Sequence, residues 1–434
     1  MKAKRKINNL ATSASTIRLT TQITTFDNGL TVITDELPYI ESFSLGIGVA
    51  VGSRHDFDDK EGIAHFLEHS VYRRTKKRSS RQIAIQLDNV GAYSNAYTTK
   101  ELTLFYVRAT KFHFHKCFEI LSDIVLNPVF LESEINKERQ IIIEEIKSYD
   151  DDPEEYIFDI ADEVIFPNHQ LGHSIDGSVQ SLLKTNENDL RLFHENFYNP
   201  QNIVIAVAGN ISHDIVVAEA EKYFSCFKNV HPKPTSIAPT PLKNEKFIQK
   251  SIQQAHLILG KQINWQNNKN KYALSLLNII FGDGMSSRLY QNLREKKGLA
   301  YSVFSQLNFY SDCGSLVHYI ATDSSKILLA EELILKELQE ISKNRIKKSE
   351  FLRAKEQLKT AKILEFESVS ARMQNIIKNY ITQNKIENLQ EIISDIENIS
   401  FDDINYIIEN EYNENNLCKI MLFPKSKGYL NGSK

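Results

Sequence analysis

Four of the ten prolines in this 434-residue chain, Pro232, Pro234, Pro239 and Pro241, fall between positions 232 and 241. Neither a helix nor a central strand tolerates such a run, because each proline removes a backbone donor and clashes with the preceding turn. The stretch reads as an extended linker over 231–246 that divides the chain into residues 23–230 and 247–434. Both parts then show one pattern. In the first, strand signals at Leu30–Asp35 and Phe43–Val51 precede helical periodicity at Asp59–Tyr72 and Ser80–Val90. Strand signals at Ala92–Tyr97 and Leu102–Val107 follow, then amphipathic stretches near Lys111–Val125, Leu131–Ser148 and Glu155–Ile165, and a buried apolar run at Asn202–Ala208. The second part repeats the trend with His256–Leu259, a helical Lys271–Phe281, strand-like Tyr301–Leu307 and Ser315–Ala321, long helices from Ser325 and Lys348, and a closing Cys418–Phe423. The pattern is that of a duplicated unit. The expected fold is α+β, with two homologous domains, each an antiparallel β-sheet with helices packed on one face.

Composition narrows the function. With 41% hydrophobic residues the chain can bury a substantial core, which excludes intrinsic disorder. The formal charge, 52 − 55 = −3, leaves no electrostatic footprint for nucleic acid. No apolar run approaches the 18 or so residues of a membrane span. The four cysteines, Cys117, Cys226, Cys313 and Cys418, form no CxxC pair, so a reducing compartment fits and a cysteine zinc site does not. Residues 1–22 carry Lys2, Lys4, Arg5, Lys6 and Arg18, no acidic residue and no apolar core, so they are no secretory signal. A bacterial-type cytoplasmic location is expected. The alternative is a mitochondrial or related matrix, with residues 1–22 as a transit peptide.

The chemistry concentrates in Gly62-Ile63-Ala64-His65-Phe66-Leu67-Glu68-His69. Residues i and i+4 of a helix share a face, so His65 and His69 can present two imidazoles to one zinc ion. Glu68 sits at the edge of that face, able to reach a water beside the metal without ligating. The order is the reverse of the HExxH helix, the HxxEH pattern of inverted zinc peptidases. A zinc ion there would lower the pKa of its water to about 7, and Glu68 would take the proton. Alone, the pentapeptide is a weak signal, since two helical histidines are more often surface groups. A catalytic zinc also needs a third protein ligand. Glu138 and Glu145, seven residues apart on the Leu131–Ser148 helix, stack on one face, so one could ligate and the other support a histidine. A solvated acidic helix face with Glu134 and Glu144 is the plainer alternative.

Beyond the pentapeptide, Glu145 follows His69 by 145 − 69 = 76 residues, and Glu138 precedes Glu145 in Glu138-Arg139-Gln140-Ile141-Ile142-Ile143-Glu144-Glu145. Further motifs are Asn95-Ala96-Tyr97-Thr98 with Glu101 and Thr103, Leu171-Gly172-His173, and Tyr198-Asn199-Pro200-Gln201-Asn202. The second part adds Gly282-Asp283-Gly284-Met285-Ser286-Ser287-Arg288-Leu289-Tyr290 and Arg294-Glu295-Lys296-Lys297-Gly298-Leu299-Ala300-Tyr301. In this order, over residues 23–424, the chain resembles the pitrilysin family of zinc metallopeptidases, the inverzincins, and in particular its short processing-peptidase-like members. It departs from the family pattern at Ser70–Thr75, where Met-x-Phe-Lys-Gly-Thr is usual, and at Asp283 in the glycine-rich turn.

The resemblance implies a zinc-dependent endopeptidase that cuts peptides or presequences bound as an added β-strand in an enclosed chamber. It implies one zinc per chain on His65, His69 and Glu145, with Glu68 as general base and Glu138 as supporting carboxylate. Asn95 and Ala96 would line the peptide-binding edge. Arg294 and Tyr301 would hold the substrate carbonyl. Glu155 and Asp159, at i and i+4, match positions that hold a basic side chain near the cleavage site. The partner is a peptide or unfolded polypeptide. Because one chain carries both the zinc motif and Arg294/Tyr301, a homodimer is expected, with a heterodimer with a related subunit as the alternative. Two rival functions are a non-catalytic scaffold or partner subunit of the same fold and a peptide-binding, chaperone-like module.

Overall fold

The computed structural model describes residues 21–225, 237–265 and 267–425. Most of the basic extension and positions 226–236, including the start of the expected linker and Cys226, lie outside them. The chain runs β1 (Thr21–Thr25), β2 (Thr31–Glu36), β3 (Ser42–Val49), α1 (Ile63–Val71), β4 (Tyr93–Thr98), β5 (Thr103–Thr110), α2 (Phe114–Leu126), α3 (Glu132–Asp151), α4 (Pro153–Ile165), β6 (Ile203–Gly209) and α5 (His213–Phe224). It continues through β7 (Glu245–Lys250), β8 (Ala255–Ile263), α6 (Asn268–Phe281), β9 (Ala300–Phe309), β10 (Gly314–Thr322), α7 (Ile327–Asn344), α8 (Val369–Gln383), α9 (Phe401–Asn410) and β11 (Cys418–Pro424), with further helices between. Two compact units interleave along it. The first comprises 21–146, 173–225 and 362–391; the second comprises 147–172, 237–361 and 392–425.

The first sheet has the order β1-β2-β6-β3-β5-β4 and the second β7-β11-β8-β10-β9. Numbering each set by its place in the chain from β2 and from β7, both read first, fifth, second, fourth, third. In both, the first and fifth strands are parallel and every other pair is antiparallel. The duplication expected from the repeated strand and helix pattern is thus present as topology, and the fold is α+β with two sheets. The parallel pair in each sheet departs from the expectation of sheets antiparallel throughout with helices on one face.

So does the covering of both sheet faces. In the first unit Leu45, Ile47, Phe105, Val107, Ile205 and Val207 pack under α1, α2 and α5. The alternate residues Ile33, Leu104, Val204 and Ala206 pack against Met373, Ile376 and Ile377 of α8. Gly46 of β3 makes that second layer possible. A Cβ there would stand 2.2 Å from Met373 Sδ and 2.8 Å from Ile377 Cδ1, so only a bare backbone lets α8 come so close. In the second unit α4 covers one face, with Ile157, Ala161 and Ile165 against Ile258, Val317 and Ile420. It starts where the sequence supplies a cap, since the Asp152 carboxylate accepts from the N–H groups of Glu154 and Glu155 and Pro153 opens the helix. On the other face α7 packs on β8 and β10, and α6 on β9.

Candidate metal centre and active site

Helix α1 begins later than its periodicity indicates. Asp59 and Gly62 have φ of 63° and 86°, left-handed values that no α-helix continues through. The helix therefore opens at Ile63, and Asp56 caps it by accepting from Gly62 N–H at 2.6 Å and Ala64 N–H at 3.1 Å. Gly62 is required as well by closeness, since a Cβ there would lie 2.4 Å from the Asp176 carbonyl oxygen. The backbone of Asp176 is thereby set against the first turn of α1, one turn from His65.

The two imidazoles meet on one face of α1, their Nε2 atoms 3.1 Å apart. Glu145 of α3 brings Oε2 to 3.7 Å from His69 Nε2. One donor atom from each of His65, His69 and Glu145 lies within 4.8 Å of the others, and this is the one such His/Cys/Asp/Glu group among the described residues. A tetrahedral ion with bonds of about 2.0–2.2 Å holds its donors about 3.3–3.6 Å apart. The observed separations bracket that range, and two imidazoles with a carboxylate are a zinc donor set with a fourth position free. The three residues therefore fit zinc.

The opposite edge of each ring faces a carboxylate. His69 Nδ1 is 3.0 Å from Glu138 Oε1, and His65 Nδ1 is 3.0 Å from Asp176 Oδ1. The His69–Glu138 contact is a hydrogen bond, which holds the proton on His69 Nδ1 and leaves its Nε2 lone pair toward the centre, whereas Asp176 approaches His65 as a charge without hydrogen-bond geometry. Arg73 Nε contacts the other oxygen of Glu138, so this buried carboxylate bridges a histidine and a guanidinium. Electrostatics follow the same plan. Burial pushes His65 down to about 3, with the His69 charge acting in the same direction. Burial would also lower His69, but its hydrogen bond to Glu138 and the charges of Glu68, Glu138 and Glu145 outweigh that and raise it. The carboxylates thus favour positive charge at His69, while burial disfavours it at His65.

Glu68 completes the group. It is 8% exposed, and its Oε2 accepts from Thr98 Oγ1 at 3.0 Å. Burial raises its pKa above the ordinary carboxylate value, with Glu145 acting the same way against the lowering effects of His69 and Thr98. A carboxylate so placed gains basicity, and it interacts electrostatically with both His69 and Glu145. Thr98 also ties α1 to β4, the outer strand of the first sheet, which carries Asn95 and Ala96. Asn95 Oδ1 accepts from Ala96 N–H at 2.9 Å, and Tyr72 OH donates to the Asn95 carbonyl at 3.4 Å. The turn between β4 and β5 is pinned by the buried Arg54–Glu101 pair at 2.6 Å and by Lys100 Nζ donating to His173 O at 2.6 Å.

His65, Glu68, His69, Glu138, Glu145, Asn95 and Ala96 thus lie together in the first unit. Arg294, Tyr301, Glu155 and Asp159 belong to the second. There the Arg294 guanidinium carbon stands 4.7 Å from the Tyr290 ring centre and 4.5 Å from that of Tyr301, and its Nη1 donates to the Tyr301 carbonyl at 2.7 Å. Tyr301 is 79% exposed. Glu155 and Asp159 are both exposed on α4. Sequence reasoning missed Asp176, which has no periodicity or spacing to mark it, and gave Arg73 and Thr98 no role.

Fold and donor set together define a duplicated α+β protein with a zinc-type centre in its first unit. The family model described as "Insulinase (Peptidase family M16)" matches residues 31–178, and that described as "Peptidase M16 inactive domain" matches 184–358. The HxxEH helix and Glu145 fall in the first match, and Arg294 and Tyr301 in the second. An uncharacterized zinc protease of Rickettsia felis is 38% identical over 386 residues, 88% of this chain and 92% of the relative. One from Bacillus subtilis is 34% identical over 391 residues, 90% of this chain and 95% of the relative. Among solved structures, a protease from Helicobacter pylori has the same fold with a TM-score of 0.87 at 22% identity, covering 93% of this chain and 99% of that one. An M16 inactive domain from Pseudomonas fluorescens gives 0.85 at 19% identity, covering 93% and 98%. The chain belongs to the M16 peptidase family, the group to which its motifs point.

Proposed function

We propose that this protein is a zinc-dependent endopeptidase that hydrolyses peptides or presequences bound as a strand along β4 within an enclosed chamber. The observation that carries it is the convergence of His65, His69 and Glu145 within 4.8 Å, with the non-ligating, basicity-raised Glu68 beside them. Zinc held by His65, His69 and Glu145 would supply Lewis acidity and a lowered water pKa of about 7. Asp176 and Glu138 keep the two imidazoles turned with Nε2 inward. Glu68 takes the proton of the attacking water at its carboxylate and returns it to the leaving amine. The Thr98 hydroxyl holds that carboxylate in place. β4 pairs with substrate main chain, which serves any sequence. Arg294, flanked by Tyr290 and Tyr301, is proposed to bind the substrate carbonyl with Tyr301. Glu155 and Asp159 are proposed to favour a basic residue in the peptide.

A homodimer with two active sites is proposed, since each chain carries both the zinc set and Arg294/Tyr301. The cytoplasm is proposed as the location. Buried thiols at Cys117, Cys313 and Cys418 suit it, and no helix among the described residues is long and apolar enough to cross a membrane. The test is cleavage of a quenched-fluorescent Arg-containing peptide by purified protein, before and after chelation and after zinc is added back. Turnover lost to chelator and restored by zinc is expected. Turnover indifferent to chelator refutes the zinc mechanism, and stoichiometric zinc without turnover points to the partner-subunit role.

A further inference from the structure

Among the described residues β4 pairs with β5 alone, so its second edge has no partner strand. Its side chains alternate between two faces. Ala96 packs on the core beneath α1, and Thr98 turns to Glu68. Tyr93, Asn95 and Tyr97 take the other face. There Tyr106 of β5 lies between the two β4 tyrosines, with ring centres 6.3 Å from Tyr93 and 6.5 Å from Tyr97. Asn95 Nδ2 donates to Tyr93 OH at 3.3 Å, and the Arg108 guanidinium carbon stands 5.4 Å over the Tyr93 ring. Tyr97 and Tyr106 are anchored against the core layer of α8, while Tyr93 stays 50% exposed. The result is an aromatic shelf, fixed from below and open along the free edge of the strand. The shelf borders the unpaired edge of β4, and Thr98 at the end of that strand reaches Glu68, so a strand added along the edge would pass both.

We propose that this shelf is a specificity subsite for the bound peptide: side chains that alternate away from Glu68 lie against Tyr93 and Tyr97, and the subsite takes aromatic or large aliphatic residues. The proposal rests on strand addition at β4. A strand added there, in either direction, places every second side chain directly beside Tyr93, Asn95 or Tyr97, at the Cβ spacing where aromatic cross-strand pairs form. Basic side chains are disfavoured, because Arg108 already holds the cation position over Tyr93. The preference is therefore separate from any basic preference that Glu155 and Asp159 confer.

The test walks a single phenylalanine, or a single lysine, through an alanine-based quenched peptide and measures kcat and KM with zinc-loaded wild type, Tyr93→Ala and Tyr93→Phe. Phenylalanine should raise kcat/KM about two- to fivefold over alanine at positions two residues apart, mainly through KM. Tyr93→Ala should abolish the gain at one of those positions, and Tyr93→Phe should keep it. Binding of the same peptides to zinc-loaded Glu68→Gln, followed by fluorescence anisotropy, gives a readout independent of turnover and should show the same two-residue period. Peptides cut or bound without that period, or with the period unchanged in Tyr93→Ala, overturn the subsite alone. Failure of every peptide to be cut by wild type and bound by Glu68→Gln overturns strand addition at β4, and the subsite with it.

Discussion

Asp176→Ala probes how the candidate centre is organised. His65 is 8% exposed, and its Nδ1 lies 3.0 Å from Asp176 Oδ1. For Nε2 to offer its lone pair, the ring proton must stay on Nδ1, which is buried without a hydrogen bond of good geometry, so the adjacent Asp176 carboxylate favours that proton through its charge. Removing such a partner weakens metal binding about 10- to 100-fold, or about 1.4–2.7 kcal/mol. The lower value applies if water fills the space that alanine opens. Asp176→Asn keeps an acceptor oxygen of the same shape and should lose less than Asp176→Ala. Zinc affinity is read by competition with a chromophoric chelator, beside thermal melting of the metal-free protein to separate binding from folding. Zinc affinity within twofold of wild type in Asp176→Ala would refute the reasoning.

Three further outcomes follow from the packing and the buried charges. Gly46→Val should cost about 1–3 kcal/mol in chemical denaturation, because its side chain would collide with Met373 and Ile377 of α8. Met373→Ala added to it should recover part of the loss. His318 of β10 is fully buried against the Phe281 and Tyr412 rings, with no partner at either ring nitrogen. Burial, helped by Lys261, pushes it down to about 3. Between about pH 6.5 and that value the unfolded chain binds the extra proton, so stability falls as pH falls, by about 2 kcal/mol from this group at pH 5. His318→Phe should shrink the stability difference between pH 8 and pH 5 by that amount, and an unchanged difference would show that His318 titrates alike in the folded and unfolded chain.

Much of the centre was legible in the sequence because helices α1 and α3 translate spacing directly into geometry. The i, i+4 separation of His65 and His69 does place both Nε2 atoms together, and Glu138 and Glu145, two turns apart, do line one side of α3. Most strand and helix signals fall within a few residues of the observed elements. The start of α1 does not: the sequence reading extends the helix back to Asp59, while positive φ at Asp59 and Gly62 keeps the chain out of the helix until Ile63. β7 went unread because it starts at the end of the expected linker, and Glu245-Lys246-Phe247-Ile248-Gln249-Lys250 alternates as an edge strand with one polar face. Nor does any linear signal say that 147–172 packs with the second unit and 362–391 with the first. An amphipathic helix such as α8 declares that it has an apolar face, not which sheet receives it. Asp176 escaped for a related reason: its place beside His65 is set by the close approach of backbone at Gly62, a contact between segments more than a hundred residues apart.

The most direct test of the account is Glu68→Gln, purified beside wild type, with bound zinc measured by elemental analysis and peptide hydrolysis followed by mass spectrometry. Because Glu68 lies next to the donor set without belonging to it, the variant should keep about one zinc per chain and still bind peptide, while hydrolysis falls by about 10²- to 10⁴-fold, the range of a lost general base. Full hydrolysis by Glu68→Gln would contradict the assignment of the base, and loss of zinc together with activity would place Glu68 among the ligands.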